Sequence, residues 1–472
     1  MKQRIIPGNI LLPFVLLTLL FFAWAIPNNL TDTMLAAFKR IMSLSDSKTA
    51  WIQVVCYLLG YGCCALPGAL FIKKYTYKSG VLLGLTLFAG GCFLFYPAML
   101  CLQINANVSF IMYLIAIFIL FAGLSVLETS TNSYVYAIGP EETATRRLNF
   151  SQSFNPFGAI AGVVISQVFV LSRLNLLTAS ERASLAANEL AEIQSQELNS
   201  VTMTYVALGV MMVGLLLAIL FTRMPRLKEG DGKLELGVTF RRLIKNKNYV
   251  WGVVAQFFYV GAQISVWSFV IRYGMQQLNL DGVVASLGAF ASPDDVVTAL
   301  RNVEPVAAGF YNLCEAIGLN DLLPRTAEQA GATYYIMSLV LFVIARFICT
   351  GLMKYFQPRT ILSTLAIAAV ACCMMTVYSS GFTGMYALMG ITACMSLMFP
   401  TIYGMGIRGL GEDTKIGGAG MVMAIAGAAL LTQIQGIVSD LSSIQSAYWI
   451  PTVAFAVIAY YGLAICKKYD AK

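Results

Sequence analysis

Apolar stretches of about twenty residues recur along the whole chain, each closed by a short polar or basic stretch. A run of that length crosses the hydrocarbon core of a bilayer as one α-helix. The approximate spans are 10–38, 49–72, 81–103, 108–138, 149–172, 201–222, 249–275, 332–353, 361–380, 385–407, 416–439 and 447–466. This pattern predicts an all-α membrane protein of twelve transmembrane helices. The first apolar run is too long for a secretory leader and lacks a small-residue cleavage site, so it reads as the first span.

The informative positions are those that interrupt the apolar pattern. In the first span, Phe21-Phe22-Ala23-Trp24-Ala25-Ile26-Pro27 runs into Asn28-Asn29-Leu30-Thr31-Asp32 before the chain turns apolar again. A carboxylate at membrane depth costs roughly 2.5–3.5 kcal/mol on insertion scales and marks a site by default. Trp24, Asn28 and Asp32 recur at every fourth residue and share one helix face. Span four repeats the motif with Ser125, Glu128, Asn132 and Tyr136, and span seven with Gln256, Tyr259, Gln263 and Trp267. In span five Asn149, Gln152 and Asn155 share a face, and Pro156 predicts a bend. Such stripes do not face lipid comfortably. Single amides and hydroxyls also join helices in membrane bundles, but buried acids are seldom kept for that purpose alone. At about 1.5 Å per residue, Asp32 falls outside the midpoint of span one while Glu128 falls near the middle of span four. The two acids are therefore not expected to share one proton as a contact pair. Arg272 and Arg346, near or within spans, are equally compatible with snorkelling and with structural pairing.

Composition narrows the class. Of 472 residues, 58% are hydrophobic and only 11% charged, against about 25% charged in soluble domains. The net charge of +8 would suggest an acidic partner in a soluble protein; here it orients helices. With the N-terminus in the cytoplasm, 22 of the 31 Lys and Arg residues fall on that side, eight of them in the loop after span six. Both termini are accordingly expected to be cytoplasmic, and no nucleic-acid partner is implied. There is no His, so proton chemistry falls to carboxylates. The eleven Cys residues form no CxxC pair and read as small hydrophobes rather than metal ligands or a disulfide framework.

Weak internal echoes suggest a duplication. Gly139-Pro140-Glu141-Glu142-Thr143 follows span four, and Gly411-Glu412-Asp413-Thr414 follows span ten. Lys73-Lys74-Tyr75 after span two matches Lys354-Tyr355 after span eight. The predicted organisation is a six-helix bundle over 1–222, a linker over 223–248, and a second six-helix bundle over 249–472. The second bundle carries an outer insertion at 276–331, in which Ser292-Pro293-Asp294-Asp295 predicts a helix start. A Thr178-x-x-Glu181 capping box predicts a short surface helix within 173–200.

Amides and carboxylates beside Trp and Tyr suit a neutral polyhydroxylated ligand, whose hydroxyls need donors and acceptors and whose ring face packs on an aromatic. A phosphate-binding glycine loop and a nucleophile with a partner are both missing, so no enzyme is expected. A protonated carboxyl is neutral and passes through an occluded state more readily than the anion. Proton–substrate symport follows if both ligands favour the same closed state. No cofactor beyond the proton is called for, and no compact oxygen cage for sodium is visible.

Four stretches in order carry a resemblance. They are Asn28-Asn29-Leu30-Thr31-Asp32, Leu127-Glu128-Thr129 with Asn132, Leu148-Asn149-Phe150 through Gly158, and Ala255-Gln256-Phe257 through Gln263. With Pro400-Thr401-Ile402, Leu410-Gly411 and Gly436 through Asp440, they resemble the L-fucose permeases. These are proton symporters of the fucose–galactose–glucose branch of the major facilitator superfamily. The resemblance implies a bacterial inner-membrane carrier, expected to act as a monomer surrounded by lipid, that takes up a monosaccharide, L-fucose first, by alternating access. Galactose or glucose is the rival substrate, and a non-transporting sugar sensor the rival class. It also implies that Asp32 is the protonatable acid of span one, that Glu128 is the acid that meets sugar and shares in coupling, and that Gln152 and Asn155 face sugar. The full candidate contact set is Glu128, Asn29, Asn132, Gln152, Asn155, Gln256, Tyr259, Gln263 and Trp267. Phe399 stands where the family carries a tyrosine, and the 276–331 loop is much longer than in a well-known member of that family; both bear on which sugar is carried.

Overall fold

The computed structural model describes residues 10–42, 51–52, 54–170, 182, 185–225, 236–286, 293–303, 305–319, 323–324 and 327–467. Among the described residues, eleven helices are long and apolar enough to cross a membrane. The expected fifth span is a broken helix. Ala144–Gln152 ends at a turn, and Asn155–Phe169 resumes with Pro156 in its first turn. Proline has no N–H to continue the preceding helix and fits a first turn, so the predicted bend is a full break. Neither piece alone is long enough to cross, which reconciles eleven long helices with twelve spans.

Other spans also depart from plain α-helix. Span two opens as a π-helix, Val54–Cys63, and continues as Cys64–Lys74. Span three is Tyr77–Leu100 and span four is Ala106–Ala137. Span six is one helix, Ala187–Phe221, which takes in the polar residues up to 200. Thr178 and Glu181 lie outside the described residues. Span ten breaks between Gly381–Met395 and Met398–Gly406. Span eleven comprises Thr414–Met423 and Gly427–Leu441, joined by a short 3-10 turn. In the outer insertion Leu280–Ala285, Pro293–Val303 and Pro305–Ala316 are helical, with Pro293 at the predicted start; Ser292 lies outside the described residues.

The chain divides into two units, one made of 1–257 with 400–429, the other of 258–399 with 430–472. In the first unit small residues let helices approach closely. A Cβ on Gly84 of span three would stand 2.7 Å from the Leu127 nitrogen of span four. One on Gly162 of span five would stand 2.5 Å from the Ile26 carbonyl of span one. With little hydrophobic drive between helices in lipid, close van der Waals packing of this kind holds the bundle.

The first unit also gathers the polar loops after spans two, six and ten. Asp413 accepts two bonds from Arg242, 2.7 Å from each nitrogen, and one from Thr239 at 3.1 Å. Arg242 and Thr239 lie on the short basic helix Leu236–Lys245 before span seven. Lys415 donates to the Ile72 carbonyl at 3.1 Å with its ammonium 4.9 Å from the centre of the Tyr77 ring. In the second unit Arg346 is buried, donates to the Ser396 carbonyl, and lies 4.7 Å from the centre of the Phe342 ring. Of its two expected states, it adopts the paired one. Arg272 is exposed beside Phe269.

Candidate substrate and proton site

Glu128 is buried in the C-terminal half of span four rather than at its midpoint, with Ser125, Thr129, Ser130, Thr131, Asn132 and Ser133 around it on the same helix. A buried carboxyl without partners is expensive. The Tyr61 hydroxyl and the Asn132 side chain engage it. Tyr61 sits in the π-helical stretch of span two and is almost completely buried. Its ring meets Phe121 edge-on at 6.0 Å, and its carbonyl accepts from the Ser125 hydroxyl at 3.4 Å. On its far side the Asn28 amide of span one donates to the Tyr61 oxygen at 3.4 Å. Tyr61 thus joins spans one and four through one hydroxyl.

Several of the predicted residues join this cluster. Gln152, the last residue before the break in span five, donates to the Asn132 carbonyl oxygen at 2.9 Å. That bond occupies the Asn132 side-chain oxygen and leaves its nitrogen as the group that engages Glu128. Asn155 donates to the Phe21 carbonyl at 3.2 Å and ties span five to span one. Asn29 donates to the Ala25 carbonyl of its own helix at 3.0 Å. Asp32 lies on the span-one helix one turn beyond Asn28; its side chain is outside the described residues. Gln256 is fully buried in the first unit, and neither of its amide atoms has a bond among the described residues.

The remaining predicted contacts belong to the second unit. The Tyr259 hydroxyl is committed to the Met395 carbonyl at 3.1 Å, and its ring stands 6.2 Å from Phe399. Trp267 packs edge-on to Phe342 at 5.4 Å, while its indole N–H is buried without a partner among the described residues. Gln263 is half-buried. The unit adds a residue that the spacing did not single out. Gln435 of span eleven is fully buried with both amide atoms unpaired among the described residues. Buried donors and acceptors left open in this way are groups that a hydroxyl-rich ligand satisfies.

Sequence reasoning missed three further partners in the first unit. Tyr403 shares a hydrogen bond with Ser133 at 3.0 Å. Thr401 exchanges bonds with Asn149 at 3.2 and 3.3 Å. Tyr61 was overlooked because an aromatic in an apolar run breaks no pattern. Hydroxyls on Tyr, Ser and Thr carry no insertion penalty large enough to stand out as a carboxylate does.

The Major Facilitator Superfamily domain matches residues 14–293. The L-fucose-proton symporter of Haemophilus influenzae is 34% identical, with 99% of each chain covered. That of Escherichia coli is 33% identical over 95% of this chain and 92% of its own. A glucose/galactose transporter of Brucella abortus is 28% identical over 96% and 93%. Among solved structures, the transporter FucP in its outward conformation superimposes with a TM-score of 0.78 and 32% identity, covering 96% of this chain and 98% of that one. The proton:xylose symporter XylE shares the fold alone, at a TM-score of 0.58 and 12% identity. The chain belongs to the family of the L-fucose-proton symporters within the major facilitator superfamily.

Proposed function

We propose that the protein takes up a monosaccharide, L-fucose first, together with protons across the bacterial inner membrane by alternating access. Both termini and the basic loops lie in the cytoplasm, as the Lys and Arg bias requires. The observation that carries this reading is Glu128, an acid buried in a membrane helix and held by Tyr61 and Asn132. Buried in the same unit is the Gln256 amide, whose open donor and acceptor suit sugar hydroxyls. Glu128 senses the sugar, Asp32 acts as the outer proton switch, and each ligand raises affinity for the other by reciprocal linkage. The proton is the only coupling ion, and a single chain suffices.

Uptake into proteoliposomes under an imposed proton gradient tests the reading. Radiolabelled L-fucose should accumulate, with unlabelled L-fucose competing better than D-galactose or D-glucose. Stronger competition by either hexose would move the substrate within the family. Dependence on a sodium gradient would overturn proton coupling, and no uptake of any monosaccharide would overturn transport. Asp32→Asn, which mimics the protonated acid, should abolish accumulation while sugar exchange continues. Wild-type accumulation by that variant would remove Asp32 from its role.

A further inference from the structure

Between the acid that senses sugar and the helix that bears the proton switch stands one side chain, Tyr61. On one side its hydroxyl meets the Glu128 carboxyl, and on the other its oxygen accepts from the Asn28 amide at 3.4 Å. Asn28 precedes Asp32 by one helical turn on the same face of span one. Two features make this chain of bonds reversible. Phenolic oxygen both donates and accepts, and an amide can present either its nitrogen or its oxygen. The Asn28 amide oxygen is buried and has no partner among the described residues, so an acceptor stands ready for the opposite direction.

We propose that Tyr61 is a positioning residue that reports the protonation state of Glu128 to span one through reversal of the Asn28–Tyr61–Glu128 hydrogen-bond chain. With Glu128 ionised, Asn28 donates to Tyr61 and Tyr61 donates to the carboxylate. With Glu128 protonated, its O–H donates to the Tyr61 oxygen, and the Tyr61 O–H turns to the Asn28 amide oxygen. The Asn28 amide then rotates, and this happens one turn from Asp32. Protons stay on their own oxygens; only the direction of donation changes. The device lets Glu128 and Asp32 act together without sharing a proton. The local backbone fits the role. Tyr61 is held in a π-helical stretch, a winding that is rare and concentrated at functional sites. A Cβ on neighbouring Gly60 would stand 2.6 Å from the Cβ of Phe121, so span two lies tight against span four at this level.

The proposal rests on the transport reading. Among the described residues, the other titratable groups that face this pair are Cys56 beside Tyr61 on span two and Tyr403 of span ten beside Glu128. Neither joins spans one and four. Span five contributes the amide of Gln152, through Asn132.

The test is the pH dependence of L-fucose affinity, measured by calorimetry on the purified full chain. In wild type, affinity falls as pH rises past a midpoint set by Glu128. Tyr61→Phe keeps the ring but removes a donor to the ionised carboxylate, so the protonated form gains. The midpoint should rise by about one pH unit, and proton-driven accumulation should drop about tenfold while sugar exchange persists. Asn28→Ala should shift the midpoint the same way by less. The double variant should behave like Tyr61→Phe alone, because Asn28 acts only through Tyr61. An unmoved midpoint in Tyr61→Phe, or additive shifts in the double variant, would overturn the chain of bonds. If Tyr61→Phe fails to fold, an unmoved midpoint in Asn28→Ala overturns it equally. A wild-type protein that binds no monosaccharide at any pH would instead bring down the transport reading beneath it.

Discussion

The turns after spans four and ten begin from nearly the same sequence, Gly139-Pro140-Glu141-Glu142-Thr143 and Gly411-Glu412-Asp413-Thr414. Both fold into a short 3-10 helix, Glu141–Thr143 and Gly411–Asp413. Their charges are used differently. After span four the working group is a cation four residues on. Arg147 is wholly buried and donates to the Val135, Tyr136 and Pro140 carbonyls and to the Thr143 hydroxyl. The first two of these carbonyls are among those the C-terminus of span four leaves open. A cation at that end also suits the helix dipole. Gly139 makes room, since a Cβ there would stand 2.7 Å from the guanidinium.

After span ten the working groups are an acid and a lysine that reach other elements. Gly409 and Gly411 take φ of +73° and +53°, where a side chain would be strained. The turn then presents Asp413 to Arg242 on the basic helix before span seven, and Lys415 to the carbonyl end of span two. Arg147 is thus a rivet between the end of one span and the start of the next. The second turn ties span eleven to span two and to the linker helix, elements distant in sequence. Of two turns with similar sequence, one serves as a local staple and the other as a long-range tie.

The comparison predicts graded losses. Arg147→Met should cost the most, because each carbonyl left buried and unpaired costs about 1–3 kcal/mol. Detergent-solubilised protein should melt far earlier, and folding and transport should be lost together. A small melting shift would refute the rivet. Lys415→Met removes one charge-assisted bond, worth about 1.5–3 kcal/mol, and should change the sugar transport rate more than the melting temperature. The reverse ordering would make it a second rivet. Asp413→Asn weakens a pair whose Arg242 side chain is 55% exposed, so a stability effect of about 1 kcal/mol or less is expected. Thr414→Ala removes only an exposed local bond to the Gly411 carbonyl and should stay within about 0.5 kcal/mol.

These turns also show what the sequence could and could not reveal. The echo itself was legible, and so were the spans and Glu128, because an acid in an apolar run is expensive and conspicuous. The destinations of the charges were not. Arg146 and Arg147 look alike as loop cations, yet Arg147 is wholly buried while its neighbour is not. Only the path of the chain after span four separates them. The partner of Glu128 was hidden for a related reason. Tyr61 lies in a π-helix, which turns less per residue than an α-helix, so faces counted at 3.6 residues per turn drift out of register. The break in span five was half legible, since Pro156 marked a bend but not the loss of a turn. Gln435 shares a face with Thr432 and Ser439 on span eleven, but that stripe holds no acid or aromatic to flag it, and only its unpaired burial makes it conspicuous.

The central claim is that Glu128 links sugar binding to proton movement, and the most direct measurement is proton uptake triggered by sugar. L-fucose added to de-energised vesicles carrying the wild-type protein should make the medium alkaline as protons enter with the sugar. Glu128→Gln should give no such signal, with weakened sugar binding. An undiminished alkaline shift from Glu128→Gln, or entry of L-fucose through the wild-type protein with no proton movement, would contradict the account.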